Sequence, residues 1–187
     1  ESPANIWMHT NMLTVNGTRM SKSLGNGFLP GELFTGDHPL LDKAYHPMTV
    51  KFFMLQTHYR STLDFGNEAL QAAEKGLKRL WEAFENLQKL NFESAVGSQQ
   101  SAIDEELNKK VNALISEFDD FMNDDFNTAR VLANMFELVP IINSMKDKTI
   151  AVSAISSDTL SLLQTKMKTW LEDIFGLTGV TEADNET

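Results

Sequence analysis

Arg19, Ser21, Lys22 and Ser23 fall within five residues, in the stretch RMSKSLGN at 19–26. Two cations and two hydroxyls this close together are suited to handling an anion. A compact ammonium at Lys22 could sit on oxygens whose negative charge grows as pyrophosphate departs, while Ser21, Ser23 and the backbone donate further bonds. That is a transition-state role rather than simple binding. The same residue types also suit a solvated basic loop, and the flanks decide between the two. Asn16-Gly17, a dipeptide fitted to a tight turn with positive φ, precedes the stretch. Gly25-Asn26-Gly27 follows it and lets backbone approach a ligand closely. Such a loop could close over a polyphosphate.

The elements around the loop set its position. The first fifteen residues, ending WMHTNMLTV, mix β-branched and bulky apolar residues and predict a strand that runs into the Asn16-Gly17 turn. Two Pro-bearing loops follow, at Leu29-Pro30-Gly31 and His38-Pro39, each with short helical turns at most. Pro47 opens a helix over MTVKFFMLQTHY with Val50, Phe53, Met54 and Thr57 as its buried stripe. From Asn67, read as an N-cap, apolar residues recur at threes, fours and sevens from Leu70 to Leu90 and predict a long amphipathic helix. ESAVGSQQS at 93–101 reads as a polar linker.

Three more helices follow. The first of them carries Ile103, Leu107, Val111, Leu114, Ile115, Phe118 and Met122 on one side and closes at the acidic NDDFN. The next begins near Asp125 or Asn127, with Pro140 expected to kink or interrupt it. The last follows Ser157-Asp158, carries Leu160 to Phe175, with Ile174 in its stripe, and closes at Gly176. The expected fold is therefore mainly α: a short strand and loop, a connecting region, then an antiparallel helical bundle. Bulky residues at helical spacing are core residues first, so Trp81, Trp170 and the phenylalanines receive no function. DDFNT at 124–128 is likewise first a helix cap through Asp124 and Asp125, since no His or Lys partner for a catalytic carboxylate pair lies nearby in sequence.

Composition narrows the function classes. The chain has 187 residues, 42% hydrophobic and 22% charged, enough for one large or two small globular domains. Zero cysteines exclude a disulfide framework and a thiolate zinc site, and His9, His38, His46 and His58 form no recognisable ligand pair, so no metal is expected on this chain. An apolar run near membrane-spanning length is missing, as are a basic n-region and an apolar h-region at ESPANIWMH; a cytoplasmic location with no membrane partner is expected. Residues 1–66 carry five Lys/Arg and five Asp/Glu, which leaves eleven of the sixteen cations and twenty-one of the twenty-six acids in residues 67–187. The whole net charge of −10 thus lies in the second part. An acidic surface repels phosphate backbones, so RNA contact there would have to be local or borrowed.

Four segments carry a family resemblance. RMSKSLGN resembles the KMSKS signature of class I aminoacyl-tRNA synthetases, with Arg19 in place of the first lysine. WMH at 7–9, MSKSLGN at 20–26, HYRSTLDF at 58–65 and DDFNTA at 124–129 are similar, in order and approximate spacing, to the cysteinyl-tRNA synthetases. The resemblance implies a two-step reaction: cysteine and ATP, with Mg, give cysteinyl-adenylate and pyrophosphate, and cysteine then passes to the terminal adenosine of tRNA(Cys). It also implies a nucleotide-binding set of Arg19, Met20, Ser21, Lys22 and Ser23, with Lys22 the catalytic group. Arg19 keeps the charge of the residue it replaces but changes a point ammonium into a planar fork.

The resemblance further implies what this chain does not carry: a His-Ile-Gly-His signature, and a zinc bound by Cys, His and Glu that holds the substrate thiol. On that basis the chain is expected to be a C-terminal fragment of a monomeric parent enzyme, inactive alone. Residues 1–27 would end the catalytic domain, 28–66 would form a stem-contact-like connecting region, and 67–187 would form the anticodon-side helical bundle. Two other readings stand beside this one. A mycothiol-pathway cysteine ligase shares the signature loop, and a non-catalytic helical interaction module could carry a basic loop by chance. The long bundle and DDFNTA favour the tRNA enzyme.

Overall fold

The computed structural model describes residues 3–92 and 102–179, and the expected linker at 93–101 lies outside the described residues. The chain divides into two compact units between Glu74 and Lys75. Three short strands and six α-helices are formed among the described residues. None of these helices is long and apolar enough to cross a membrane.

The first unit is built around a three-stranded sheet of order β2-β1-β3. β1 (Leu13–Val15) and β2 (Thr18–Arg19) form an antiparallel hairpin whose turn residues Asn16 and Gly17 have φ of 49° and 76°. Those are the left-handed values a two-residue hairpin turn needs, and Asn and Gly tolerate them best. β3 (Leu63–Phe65) runs parallel to β1, with Leu13 opposite Leu63 and Val15 opposite Phe65. Strand pairing is shorter than expected, because Ile6, Trp7 and Met8 stay outside the sheet and are 80%, 63% and 55% exposed.

Between β1 and β3 the chain forms α1 (Pro30–Thr35) and α2 (Pro47–Leu55), each opened by a proline whose missing N–H has no intrahelical partner to lose. The His46 side chain caps α2 by accepting from the Met48 N–H at 3.1 Å. The buried edge of α2 is Thr49, Val50, Phe52 and Phe53, whereas Met54, expected inside, is 47% exposed. Val50 and Phe53 are inside as expected, Phe53 packing edge-on against Phe65 at 5.1 Å, but Thr49 and Phe52 complete the stripe in place of Met54, which turns it by one residue, about 100° around the axis.

α3 spans Asn67–Gln88. Asn67 is its first residue rather than its cap: the carboxamide donates to Leu40 O (2.9 Å) and accepts from Asp42 N–H (2.9 Å), tying down the 40–45 loop.

The second unit is a helical bundle made by the later part of α3 with α4 (Glu105–Asn123), α5 (Thr128–Lys146) and α6 (Ser157–Lys168), the last continued by a π-turn at Thr169–Ile174. Each start has a side-chain acceptor for a free N–H: Asp104 for Leu107, Asn127 for Arg130 and Ser156 for Thr159. Leu80, Val111, Phe118, Met135, Ile142 and Leu163 are fully buried.

Several expectations shift here. Ile103 lies ahead of α4 and is 44% exposed, while Phe121 is buried in place of Met122. Ile174 is 47% exposed because the π-turn carries it past the core and brings Phe175 in. The α5 cap is Asn127, not Asp124 or Asp125: Asp125 and Phe126 both take left-handed φ, 60° and 55°, so the chain reverses before the helix begins. Pro140 neither ends nor interrupts α5, which runs unbroken from Thr128 to Lys146. The ring lies on the exposed face, so the lost hydrogen bond is on the wet side, while buried Val139, Ile141 and Ile142 hold both halves in place.

Candidate functional site

The RMSKS stretch leaves the sheet with Arg19 as the last residue of β2, paired opposite Thr14. The Met20 N–H donates to Leu13 O (3.2 Å), so the hairpin ladder extends one residue into the loop. The Met20 side chain lines an apolar cavity of about 330 Å³ with Leu13, Phe28, Leu33, Val50 and Phe65.

Ser21 is extended (φ −151°, ψ 139°) and starts a 3₁₀ turn over Lys22–Leu24. The turn is closed by Leu24 N–H to Ser21 O and Gly25 N–H to Lys22 O, both 3.2 Å. Gly25 ends it at φ 64°, a conformation that costs a residue with a Cβ about 1–2 kcal/mol. The Ser21 and Ser23 hydroxyls lie 2.8 Å apart and share a hydrogen bond. Arg19, Lys22 and Ser23 are exposed, and neither cation forms an ion pair among the described residues. An arriving anion would therefore displace no carboxylate from them.

Two residues that sequence reasoning did not single out hold this arrangement. Asp64 Oδ1 accepts from Thr14 Oγ1 (2.6 Å) and from the Gly17 N–H (2.9 Å), binding the hairpin turn to β3. Asn26 bonds to the backbone of Arg19 and of Ser21. Both lie inside quoted motif segments, HYRSTLDF and MSKSLGN, which was the available signal. WMH is also drawn toward HYRSTLDF, because Asn11 just beyond it bonds to the Tyr59 and Arg60 carbonyls at 3.0 and 2.8 Å. DDFNTA, by contrast, belongs to the second unit, at the α4–α5 junction, where the Arg130 guanidinium lies 4.1 Å from the Phe121 ring centroid.

In the first unit, the Tyr45 hydroxyl donates to Asn67 Oδ1 at 3.2 Å, and burial pushes its phenol above the ordinary value. The donor chemistry does not fit zinc. The sequence has no cysteine, and among the described residues no three His, Asp or Glu side chains gather.

Residues 1–75 match the family model described as the tRNA synthetases class I (C) catalytic domain, and residues 117–179 match the DALR domain. The first match covers the early part of the chain and the second the last part of the described residues. Its relatives share both parts. The cysteine–tRNA ligase of Cytophaga hutchinsonii is 41% identical over 177 residues, covering 95% of this chain and 35% of that protein. Those of Parabacteroides distasonis and Bacteroides fragilis are 46% and 45% identical over 171 residues, 91% of this chain and 32% of each relative. The chain thus spans about a third of the length of these relatives. The RMSKS loop lies in the catalytic-domain match, and α5 and α6 lie in the DALR match.

Proposed function

We propose that this chain is the RMSKS-loop and helical-bundle part of a cysteine–tRNA ligase, which activates cysteine with ATP and transfers it to tRNA(Cys). Residues 1–27 serve the catalytic domain, 28–66 connect, and 67–187 form the anticodon-side bundle. The names of the relatives support the amino acid and the RNA. The observation that carries the mechanism is Lys22: an exposed ammonium with no carboxylate partner among the described residues, on a short turn closed by backbone hydrogen bonds.

In the activation step the cysteine carboxylate attacks the α-phosphorus of ATP, and the bond to the bridging oxygen of pyrophosphate breaks. Charge accumulates on the departing phosphates. Lys22 meets that charge, Ser21 and Ser23 orient the oxygens, and Arg19 supplies a second, supporting cation. Met20 belongs to the set by anchoring the loop in its apolar cavity. Magnesium would travel with the ATP phosphates, and a zinc that holds the thiol would need ligands other than those of this chain. The enzyme acts as a cytoplasmic monomer in this reading.

The test is single-turnover adenylate formation in the full-length ligase carrying this chain. Only an interaction stronger in the transition state than in the ground state raises the saturated rate. Lys22→Ala should lower that rate by about a hundredfold to a thousandfold while ATP affinity holds, the usual cost of losing one such contact. Arg19→Lys should be nearly silent. A raised ATP dissociation constant with an unchanged saturated rate would reduce the loop to a ground-state phosphate cradle.

A further inference from the structure

We infer that Asn26 is a positioning residue for Lys22: its carboxamide clamps the backbone on both sides of Met20 and so fixes the turn that carries the ammonium. The inference rests on the phosphate role proposed above for Lys22. Asn26 Nδ2 donates to Arg19 O at 3.2 Å, and the Ser21 N–H donates to Asn26 Oδ1 at 2.9 Å. A carbonyl only accepts and a backbone N–H only donates, so these partners leave one orientation for the amide.

No other side chain among the described residues bonds to the backbone of residues 19–25. The clamp is possible because Gly25, at φ 64°, turns the chain back so that residue 26 reaches residue 19. Ser21 is then held twice, its N–H by Asn26 and its carbonyl by the Leu24 N–H. Lys22 follows it directly and makes no ion pair among the described residues, so the backbone alone sets where its four-carbon stem begins. Catalysis by a preorganised charge is sensitive to displacements of about 1 Å. Removing the clamp should therefore weaken the transition state without weakening the ground state.

The experiment is a double-mutant cycle in the full-length ligase, comparing wild type, Asn26→Ala, Lys22→Ala and the double variant by single-turnover adenylate formation. Asn26→Ala should lower the saturated activation rate about tenfold, the scale of one net hydrogen bond. It should leave the dissociation constants of ATP and cysteine within about twofold, and it should add less than about twofold once Lys22 is already alanine. An unchanged rate, or a full tenfold loss in the Lys22→Ala background, overturns the inference, since Asn26 would then do nothing or act elsewhere.

Asn26→Asp keeps the size and the acceptor for Ser21 but faces the Arg19 carbonyl with a second acceptor. It should fall at least as far, and it replaces Asn26→Ala as the readout if the alanine variant melts early. Amide exchange of Ser21, followed by NMR on this chain without substrate, should quicken about tenfold in Asn26→Ala, and unchanged exchange also overturns the clamp. If Lys22→Ala itself left the saturated rate intact, the reading of Lys22 would fail and the positioning role with it. Quickened Ser21 exchange would mark that case as a failure of function rather than of structure.

Discussion

The two units hold their backbones by different means. In the second, helices of 19, 19 and 12 residues (α4, α5 and α6) bury continuous apolar stripes, and polar side chains both cap helix starts and tie helix backbone across the bundle, as Gln164 does at Leu87 O and Leu90 O and Asn134 at Leu114 O. In the first, strands of three, two and three residues and helices of six and nine residues are too short to persist by local preference. There Asn11, Asp64 and Asn67 pin loop backbone distant in sequence, and Asn26 pins it locally. Arg19 and Lys22, which form no ion pair among the described residues, lie in the unit with the polar pins, while the net charge of −10 falls within residues 67–187. A periodic core sets long helices against one another, and individual polar side chains add ties between them. A loop of short elements is held instead by a few specific hydrogen bonds.

That contrast makes unequal demands on substitutions. Phe118 is fully buried and lies edge-on to Trp170 at 5.7 Å, so Phe118→Ala should cost about 3–5 kcal/mol. A denaturant midpoint shift much below that would mean the bundle core repacks freely. Asp64→Ala removes two hydrogen bonds in an exposed setting and should cost about 1 kcal/mol while quickening amide exchange at Gly17. If the Gly17 amide stayed protected, the hairpin would be held by its turn alone.

The smallest effect concerns pH. The folded-state pKa of Tyr45 is raised by burial, so the unfolded chain, with its phenol near 10.0, releases that proton first as pH climbs. The stability associated with the neutral phenol is thus fully present below pH 10 and is lost as pH rises past 10 toward the folded value. The unfolding midpoints of wild type and Tyr45→Phe should converge across that range. A constant difference would place the phenol in water.

The bundle was legible because a 3.6-residue period is a local property that Leu70, Leu77, Val111, Leu132 and Leu163 announce directly. Misreadings occurred where one residue's role depends on something remote. Pro140 was expected to kink or interrupt its helix, and α5 runs through it uninterrupted because, as only the packed arrangement reveals, it faces water. Asn67 was read as a cap from its place at a helix start, yet it serves the loop 25 and 27 residues earlier. The RMSKS cluster could be seen in its composition, while its supports could not. Asp64 reaches Gly17 across 47 residues and Thr14 across 50. Asn26, only five and seven residues from its partners, depends on a left-handed Gly25 that composition suggests but does not prove.

The π-turn at the end of α6 has a bearing on chain length. In ordinary α winding the neighbour above Trp170 would be residue 174; here the Phe175 N–H bonds to Trp170 O across five residues at 2.9 Å, and the two rings lie 5.8 Å apart. One residue has in effect been wound in as slack. A homologous chain shorter by one between these aromatics would close as a plain α-turn with both rings still facing inward. A one-residue change in the middle of α4 or α5 would instead turn everything beyond it by about 100°. Length variation of a single residue therefore has a place to be absorbed in this bundle, at a wide turn whose surplus residue already faces the solvent.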